Sequence, residues 1–411
     1  MLKRLFYLLL LVSCVISLSK TYAQEQESKT GGLARLMSMG QNPFVADPND
    51  IKSNPAYAGY YGNLLWGDIG SQNTAWGSDG KSQFFGVNMN VTNVFTLGVM
   101  LTKSDQINGV SISSVDPYMF PLDVHFMQII PNNNVEVLGS FNTDLMTLGF
   151  GVSYLTSQNK EDFALQASKN FEKNFTQIGF NAGVLFNLAN QNKLDVSLAV
   201  IFPKLSMDTS IVTDKATQTY IKLSAKAFLN LNKEFQLVPI ATFISGSGSE
   251  DYKDTISSST NDLPTHTEIM AGVGIHYRHG DFLFAGGPTF DLASVSTAAI
   301  GSAYPALKNS VTSLMWNFGA EWYCNSWLTA RLGYKTFTGS TLIQTAVSGT
   351  KYNETTQTTY GTDDGFTLGV GFKIAGIALD ATVNADVLRQ GLNNIGGGHG
   401  TFAFVSASYC F

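Results

Sequence analysis

Along most of the chain, apolar and polar residues alternate with a period of two, and turn-forming residues interrupt the alternation at intervals. In one such stretch Ile178, Phe180 and Val184 fall on one face, while Gln177 and Asn181 fall on the other. A period of two places successive side chains on opposite faces of a β-strand. The pattern therefore predicts a chain built almost entirely of strands, each with an apolar face and a more polar face.

Short turns and long connections follow one another in this strand series. We predict short turns near Thr92, Asn142, Asn190, Asn232, His279, Asn325 and Ala375. We predict long polar connections over 104–131, 158–173, 209–218, 250–265, 297–311, 341–364 and 391–399. Transmembrane barrels alternate short periplasmic turns with long extracellular loops. The prediction is an all-β, antiparallel transmembrane barrel over residues 63–411, with an even number of strands between 14 and 16.

The last strand ends the chain on an aromatic residue. Val405, Tyr409 and Phe411 lie on one apolar face, and more polar residues lie between them. A soluble sandwich could end in the same way, but the strand faces assigned to lipid carry almost no charge. Lys or Arg at the bilayer midplane costs about 2–4 kcal/mol. We therefore expect this strand to close a barrel in the membrane.

The N-terminus has the pattern of an export signal. Lys3 and Arg4 precede an apolar run, and a small-residue cleavage site comes before Gln24, so residues 1–23 are predicted to be a signal peptide. The sequence around Cys14 offers a rival lipoprotein processing site. After Gln24 no apolar run is long enough for a transmembrane helix. Residues 24–62 are predicted to form a polar tail and a compact segment before the barrel.

Composition narrows the class of protein further. Only 14% of the residues are charged, against about 25% in ordinary soluble domains. The net charge of −6 argues against nucleic acid as a partner. The five histidines lack the spacing of a metal site, and no catalytic constellation is visible, so we expect no enzyme activity, metal or cofactor. Cys324 and Cys410 fall on distant strands, which disfavours a disulfide.

The segment before the first strand carries helix signals. Asp47 followed by Pro48 predicts an N-cap with proline in the first helical position, and Asp50 adds a favourable charge to the first turn. Asn54 and Pro55 are expected to end this short helix. The segment is therefore predicted to be compact rather than extended.

The run from Met39 to Tyr57, M-G-Q-N-P-F-V-A-D-P-N-D-I-K-S-N-P-A-Y, resembles the N-terminal signature of the long-chain fatty acid transporter superfamily of outer-membrane barrels. The residues that match are Met39, Gly40, Phe44, Val45, Ala46, Asp47, Asn54, Pro55 and Ala56. The chain departs from the signature at 41–43 and at Tyr57. Barrels associated with type IX secretion in Bacteroidetes-like bacteria carry similar signatures.

The resemblance implies that this segment is a hatch inside the barrel. Pro48 is a further hatch candidate beside the matching residues. The alternative is that the segment forms an ordinary periplasmic cap. The family usually has fourteen strands, and a kinked strand opens a lateral gap in its barrel. Pro203, Pro239 and Pro288 lie in predicted strands, where proline marks a bulge, an edge or a kink. Which of them, if any, forms such a gap is left open.

Two further groups of residues are candidates for function. The polar candidates for the lumen are Lys222, Lys226, Glu268, His276, Arg278, Glu321, Arg331, Lys335, Lys373, Asp380 and Asp386. They could pair with one another and with the hatch, or some of the bases could hold an anionic head group. The apolar candidates in the connection 104–131 are Tyr118, Met119, Phe120, Leu122, Phe126 and Met127, which could form a lid or a substrate-capture surface.

These features predict an integral protein of the bacterial outer membrane that passively admits a hydrophobic or amphipathic small molecule, such as a fatty acid. A plugged barrel that binds a protein partner in secretion is the alternative, and a general porin is a third class. The expected partners are the lipid bilayer, the barrel-assembly machinery and the small molecule.

Overall fold

The computed structural model describes residues 31–70, 84–102, 106–107, 110–111, 134–162, 170–209, 211–297, 306–348, 351–360, 365–383 and 402–411. Within these residues the main sheet has 18 strands, of which 16 form a closed antiparallel barrel and two extend its hairpins. The prediction of an all-β barrel with an even number of strands is confirmed, at the upper end of the predicted range. No helix among these residues is long and apolar enough to cross a membrane.

The strands on the N-terminal side are β1 (Leu64–Gly70), β2 (Phe84–Asn90), β3 (Phe95–Thr102), β4 (Gln106–Ile107), β5 (Val110–Ser111), β6 (Asn134–Asn142), β7 (Met146–Glu161), β8 (Phe171–Asn187), β9 (Lys193–Thr209) and β10 (Val212–Asn230). Those that follow are β11 (Phe235–Asp254), β12 (Ser258–Asp262), β13 (Thr265–His279), β14 (Phe282–Thr297), β15 (Leu307–Tyr323), β16 (Leu328–Ser348), β17 (Lys351–Tyr360), β18 (Gly365–Ile374), β19 (Ile377–Val383) and β20 (Phe402–Cys410). The short β4 and β5 pair only with each other, and β12 and β17 are the two extension strands.

The first and last strands close the barrel. β1 pairs with β2 on one side and with β20 on the other, both in antiparallel register. Leu64 lies opposite Cys410, and Gly70 lies opposite Phe404. Closure leaves the barrel wall without a free edge, as a sheet in lipid requires.

The two surfaces of the wall differ as the alternation predicted. Outward side chains are apolar and exposed, for example Phe150 at 56% and Phe180 at 49%. The inward Gln177 and Asn181 are buried. Near the short turns the outer surface carries aromatic pairs, among them Phe282 with Trp322, Phe95 with Phe141, Phe235 with Tyr277, and Tyr409 with Phe411. Aromatic girdles of this kind are typical of membrane barrels.

All seven short turns lie where the sequence predicts them. Several long connections, however, are shorter than predicted, because the strands continue far into them. β9 ends at Thr209 and β10 begins at Val212, where a connection over 209–218 was expected. β11 likewise continues to Asp254 and is followed by β12, within the expected connection 250–265. Beyond the apolar band both strand faces are polar, so the alternation that marks a strand is lost.

Each of the three strand prolines lies at an interruption in the ladder of paired residues. Pairing skips two positions at Pro203 between β9 and β10, at Pro239 between β10 and β11, and at Pro288 between β13 and β14. A proline has no backbone N–H to donate to the ladder. The register is the same on both sides of each interruption, so the bulge that we considered from the sequence is absent at these positions.

A helical segment lies inside the barrel, at the end that carries the short turns. It comprises the helix α1 (Leu33–Ser38), the 3₁₀ helix η1 (Pro48–Lys52) and the helix α2 (Tyr57–Tyr60). We call residues 31–62 the hatch. Its largest side chains are fully buried: Met39, Phe44, Ile51, Tyr57 and Tyr61. They pack against inward side chains of the barrel, so three of the four buried apolar clusters among the described residues lie between the hatch and the wall.

Candidate functional site

The hatch turns at an N-cap that the sequence predicts. The Asp47 carboxylate accepts a hydrogen bond from the backbone N–H of Asn49 at 3.0 Å, and the Asp50 carboxylate accepts one from the N–H of Asp47 at 3.1 Å. Pro48 occupies the first helical position. This reciprocal arrangement is a capping box, which fixes the start of η1.

Backbone groups of α1 are fastened to strands from both ends of the chain. The Leu33 N–H donates to the Asp68 carboxylate in β1 at 3.0 Å, and the Ala34 N–H donates to the Ser406 hydroxyl in β20 at 2.8 Å. The Thr382 hydroxyl of β19 donates to the Ala34 carbonyl at 2.7 Å. α1 is therefore bound at the closure of the barrel.

A chain of buried charges connects α1 to β15, β16 and β19. The Arg35 guanidinium donates two hydrogen bonds to the Glu321 carboxylate, at 2.8 and 2.7 Å. Glu321 also accepts from Arg331 Nε at 2.7 Å, and Arg331 Nη1 lies 2.6 Å from Asp380. On the hatch side, Arg35 Nη1 lies 3.5 Å from Asp47. The charges alternate in sign, and each of these side chains is at most 8% exposed.

The sequence analysis placed Glu321, Arg331 and Asp380 in the lumen but missed Arg35. It is the only charged residue in the run G-G-L-A-R-L-M-S. A single charge in an otherwise apolar segment that is expected to enter a lumen is a usable signal for a buried ion pair, since such a charge requires a partner.

A second anchor lies on the other side of the hatch, at Asn54. Its side-chain amide donates a short hydrogen bond to the Asp195 carboxylate of β9, and its oxygen accepts from the Ala56 N–H at 2.9 Å. Asn54 is fully buried. The signature residues Asn54, Pro55 and Ala56 thus contact the wall on β7 to β9.

Three other lumen candidates contact the hatch directly. Lys226 lies 2.8 Å from the Asp50 carboxylate, Lys335 donates to the Gln41 side-chain oxygen at 3.0 Å, and His276 Nε2 lies 3.0 Å from the Phe44 carbonyl oxygen. These contacts come from β10, β16 and β13, so the hatch is held around most of the circumference.

The remaining candidates lie elsewhere. Lys222 and Glu268 face inward on the same cross-strand row, with Ile244 of β11 between them. Arg278 and Lys373 line a cavity at the short-turn end. Asp386 and the loop candidates Tyr118, Met119, Phe120, Leu122, Phe126 and Met127 lie outside the described residues. Val405 and Tyr409 face outward on β20, and Phe411 follows this strand.

Inward glycines of the wall make room for the hatch. The glycines concerned are Gly149, Gly183, Gly274, Gly319, Gly333 and Gly369, and a Cβ atom at any of them would collide with hatch atoms. At Gly149 and Gly333 the colliding atoms belong to the hatch backbone. Glycine inside a strand marks the close approach of another backbone. These glycines are a signal in the sequence for contact with the hatch, and none of the predictions above used it.

Burial changes the titration of two hatch side chains. Desolvation raises the pKa of Asp47 to about 7, although the nearby Arg35 guanidinium opposes this shift. Desolvation lowers the pKa of Lys52, opposed mainly by the Asp68 carboxylate, which lies 3.7 Å from the ammonium nitrogen. The Lys52 ammonium also lies over the Phe84 ring, 3.9 Å from its centre.

Beyond the hatch, toward the end with the long hairpins, part of the inner wall is apolar. Leu155, Phe175, Ile201, Leu205, Met207, Ala216, Tyr220 and Leu263 form one buried cluster. They lie on β7 to β10 and next to β12, and we call them the apolar patch. The lumen of a water-filled barrel is usually polar. The eight side chains are at most 9% exposed, so the patch is packed, and a hydrophobic occupant could reach it only if these side chains move apart.

A group of buried polar side chains borders the apolar patch. Glu136, Ser153, Gln177 and Asn181 are at most 3% exposed, and each has a polar atom without a hydrogen-bond partner among the described residues. Gln177 lies directly opposite Leu155 of the patch, and Glu136 opposite Ser153. Buried polar atoms without partners are costly, so this group, which we call the polar belt, favours an occupant that can form hydrogen bonds.

On the other side of the hatch, a cavity of about 470 Å³ lies at the end with the short turns. Its walls include Arg35, Arg278, Glu321, Arg331, Lys373 and Asp380. We call it the vestibule. Across the ranges that the structure describes, no cluster of three or more His, Cys, Asp or Glu residues could hold a metal ion.

Comparisons with known proteins give structural likeness only. No family model matches the chain, and no curated protein matches it. The toluene transporter TbuX of Ralstonia pickettii is 12% identical, with 93% of this chain and 97% of that chain covered and a TM-score of 0.35. The siderophore receptor PiuA of Acinetobacter baumannii is 11% identical, with 78% and 63% covered and a TM-score of 0.41.

The alcaligin outer-membrane receptor FauA of Bordetella pertussis is 7% identical, with 78% and 67% covered and a TM-score of 0.38. The chain spans 64% of the ferric citrate transporter FecA and 60% of the copper transporter OprC. At these identities and TM-scores the likenesses identify neither a family nor a substrate.

Proposed function

We propose that this chain is an integral protein of the bacterial outer membrane that passively admits small hydrophobic or amphipathic molecules past its hatch. The observation that carries the proposal is the apolar patch on the inner wall, on the far side of the hatch from the vestibule. Once the side chains of the patch move apart to admit it, a hydrophobic molecule gains about 25 cal/mol for each Å² of its apolar area that leaves water. The proposal involves no catalytic step and no cofactor.

The polar belt supports an amphipathic substrate. Leu155 of the patch and Gln177 of the belt are register partners, so an occupant of the patch has hydrogen-bonding groups beside it. The belt contains two amides, a hydroxyl and one carboxyl group. A molecule with an apolar body and a polar end matches the apolar patch and the adjoining polar belt better than a pure hydrocarbon does.

The hatch argues against a general porin. A general porin needs an open aqueous lumen, whereas the hatch contacts strands around most of the barrel. Entry of a substrate therefore requires a local movement of the hatch. TbuX is a toluene transporter, and toluene is a suitable first probe for this chain.

Uptake by proteoliposomes tests the proposal. We expect toluene and a long-chain fatty acid to enter faster than through protein-free vesicles, and a sugar of similar size to enter no faster. Ile201→Gln and Leu205→Gln should slow the uptake of the apolar molecules, because each places an amide in the apolar patch. Phe202→Leu is the matched control, since Phe202 faces outward between them. Equal uptake by all variants, or equal uptake of the sugar, contradicts the proposal.

A plugged barrel that binds a protein partner is the second candidate, and the buried charge chain of Arg35, Glu321, Arg331 and Asp380 favours it. Breaking a buried ion pair costs about 3–5 kcal/mol, so a hatch held in this way opens rarely. Absence of uptake for every probe, together with stable co-purification of one defined protein, would favour this second candidate.

A further inference from the structure

The vestibule contains cationic groups that the hatch does not use. Its described walls include four cationic side chains, Arg35, Arg278, Arg331 and Lys373, and three carboxylates. Two of these carboxylates, Glu321 and Asp380, are already bound by Arg35 and Arg331.

Arg278 lies on β13 and has no ion pair or hydrogen-bonded side-chain partner among the described residues, and its Nε atom is buried. Lys373 on β18 likewise has no ion pair in this part of the chain. The third carboxylate, Asp281, lies on an exposed turn. The positive charge that remains in the vestibule is therefore concentrated at Arg278 and Lys373.

A half-buried guanidinium that faces a cavity, with no ion pair among the described residues, is a strong recognition element for a carboxylate. Its planar fork donates two parallel hydrogen bonds that match the two carboxylate oxygens. A volume of about 470 Å³ lies within the range of small-molecule sites, which is roughly 300–1,000 Å³. The Tyr323 ring and the Ala378 side chain supply apolar wall beside these charges.

We propose that the vestibule is a binding site for a small organic carboxylate, with Arg278 as its main ligand-binding residue and Lys373 as a second cation. This site is separate from the apolar patch, because the hatch lies between them. The inference is independent of the transport proposal, and either can fail without the other.

Cys324 offers a direct test, because this cysteine lines the same cavity, whereas Cys410, the other cysteine of the described residues, does not. Iodoacetate carries a carboxylate, and iodoacetamide is its neutral analogue. In both reactions the thiolate sulfur displaces iodide and forms an S–C bond, and the thiol proton passes to the buffer. Alkylation rates of the two cysteines are measured on folded protein in detergent, by mass spectrometry of the peptides.

We expect the iodoacetate-to-iodoacetamide rate ratio at Cys324 to exceed the ratio at Cys410 by about tenfold, because a hydrogen-bonded charge pair concentrates the anionic reagent. Arg278→Met should bring the Cys324 ratio down to that of Cys410, and Lys373→Met should lower it in part. Lys233→Met, on an exposed turn outside the cavity, is the matched control and should leave the ratio unchanged.

Ligand protection completes the test. Benzoate should slow the alkylation of Cys324 by iodoacetate, whereas benzyl alcohol at the same concentration should not. Equal ratios at the two cysteines, or an unchanged ratio in both Arg278→Met and Lys373→Met, overturn the proposal. Protection by hexaglutamate but not by benzoate also overturns it, since that result assigns the surface to an acidic protein segment. Heat-modifiable migration on gels confirms that each variant is folded before alkylation.

Discussion

Arg35 of the hatch and Glu321 of β15 form a two-pronged ion pair inside the barrel, with N–O distances of 2.8 and 2.7 Å, although 286 residues separate them in sequence. Both side chains are almost completely buried. Arg331 shares the same carboxylate. The pair therefore joins the hatch to the wall through two charges that have little contact with water in the folded protein.

Arg35→Met is expected to lower the free energy of unfolding by roughly 3–5 kcal/mol, because the buried Glu321 carboxylate loses one of its two cationic partners. Urea unfolding in lipid vesicles, followed by tryptophan fluorescence, measures this change. Glu321→Leu alone should be at least as damaging, since it leaves Arg35 and Arg331 without a shared anion. The double variant Arg35→Met with Glu321→Leu should be less destabilised than the sum of the two, and strict additivity would contradict this interpretation.

Asp47 should make hatch stability depend on pH. Burial raises its pKa to about 7 in the folded protein, from an ordinary value of 3.8. The folded state therefore binds a proton at Asp47 more tightly than the unfolded state does. Protonation of Asp47 stabilises the folded state at low pH, and this stabilisation is lost as the pH rises from about 4 to about 7. The full shift corresponds to an upper limit of roughly 4 kcal/mol.

Asp47→Asn removes this titration and keeps a side chain that is suitable for an N-cap. The free energy of unfolding of the variant minus that of the wild type should increase as the pH is raised from 4.5 to 8 in the same unfolding assay. Asp144→Asn, on an exposed turn, is the control and should show no such trend. The facing charges of Arg35, Asp50 and Asp68 are unchanged in both variants.

Gly149→Ala should displace the hatch, because the new Cβ atom would collide with the backbone of Pro55 and Ala56. Overpacking of this kind costs about 1–3 kcal/mol. Gly151→Ala is a matched control on the same strand, where the Cβ atom would meet only the end of the Glu136 side chain, at 2.9 Å. Limited proteolysis of the hatch should be faster in the first variant and near the wild-type rate in the second.

Asn54→Asp should weaken the second anchor, because it places a carboxylate against the Asp195 carboxylate. The loss of a buried donor together with the new repulsion should cost about 3 kcal/mol. The exchange variant, Asn54→Asp with Asp195→Asn, restores one donor and one acceptor and should recover most of the stability. Failure of the exchange to recover stability would mean that this hydrogen bond does not hold the hatch.

The turns and strand faces could be predicted from the sequence because their causes are local. At Asn232, for example, the side-chain oxygen accepts hydrogen bonds from the N–H groups of Glu234 and Phe235, which fixes the turn without distant residues. The strand alternation is local in the same sense. The continuation of β11 past the apolar band could not be predicted, because both of its faces there are polar.

Which hatch residues the inward side chains contact could not be predicted from the sequence, for a physical reason. Lys226 and Lys335 were placed inward correctly by their strand positions, but their contacts with Asp50 and Gln41 depend on how the hatch lies in the barrel. Nothing in the spacing of these residues specifies that arrangement. The inward glycines carried usable information, since six of them mark where the hatch touches the wall.

The fastening of α1 to β20 has a consequence for biogenesis. The Ser406 hydroxyl oxygen accepts a hydrogen bond from the backbone N–H of Ala34, which lies 372 residues earlier in the sequence. The same hydroxyl donates a hydrogen bond to the Asp68 carboxylate. Contacts so distant in sequence form late, because a very long loop must close first. The hatch can therefore reach its final position only when β20 pairs with β1. Closure of the barrel wall and blockage of the lumen by the hatch then occur in the same step of assembly.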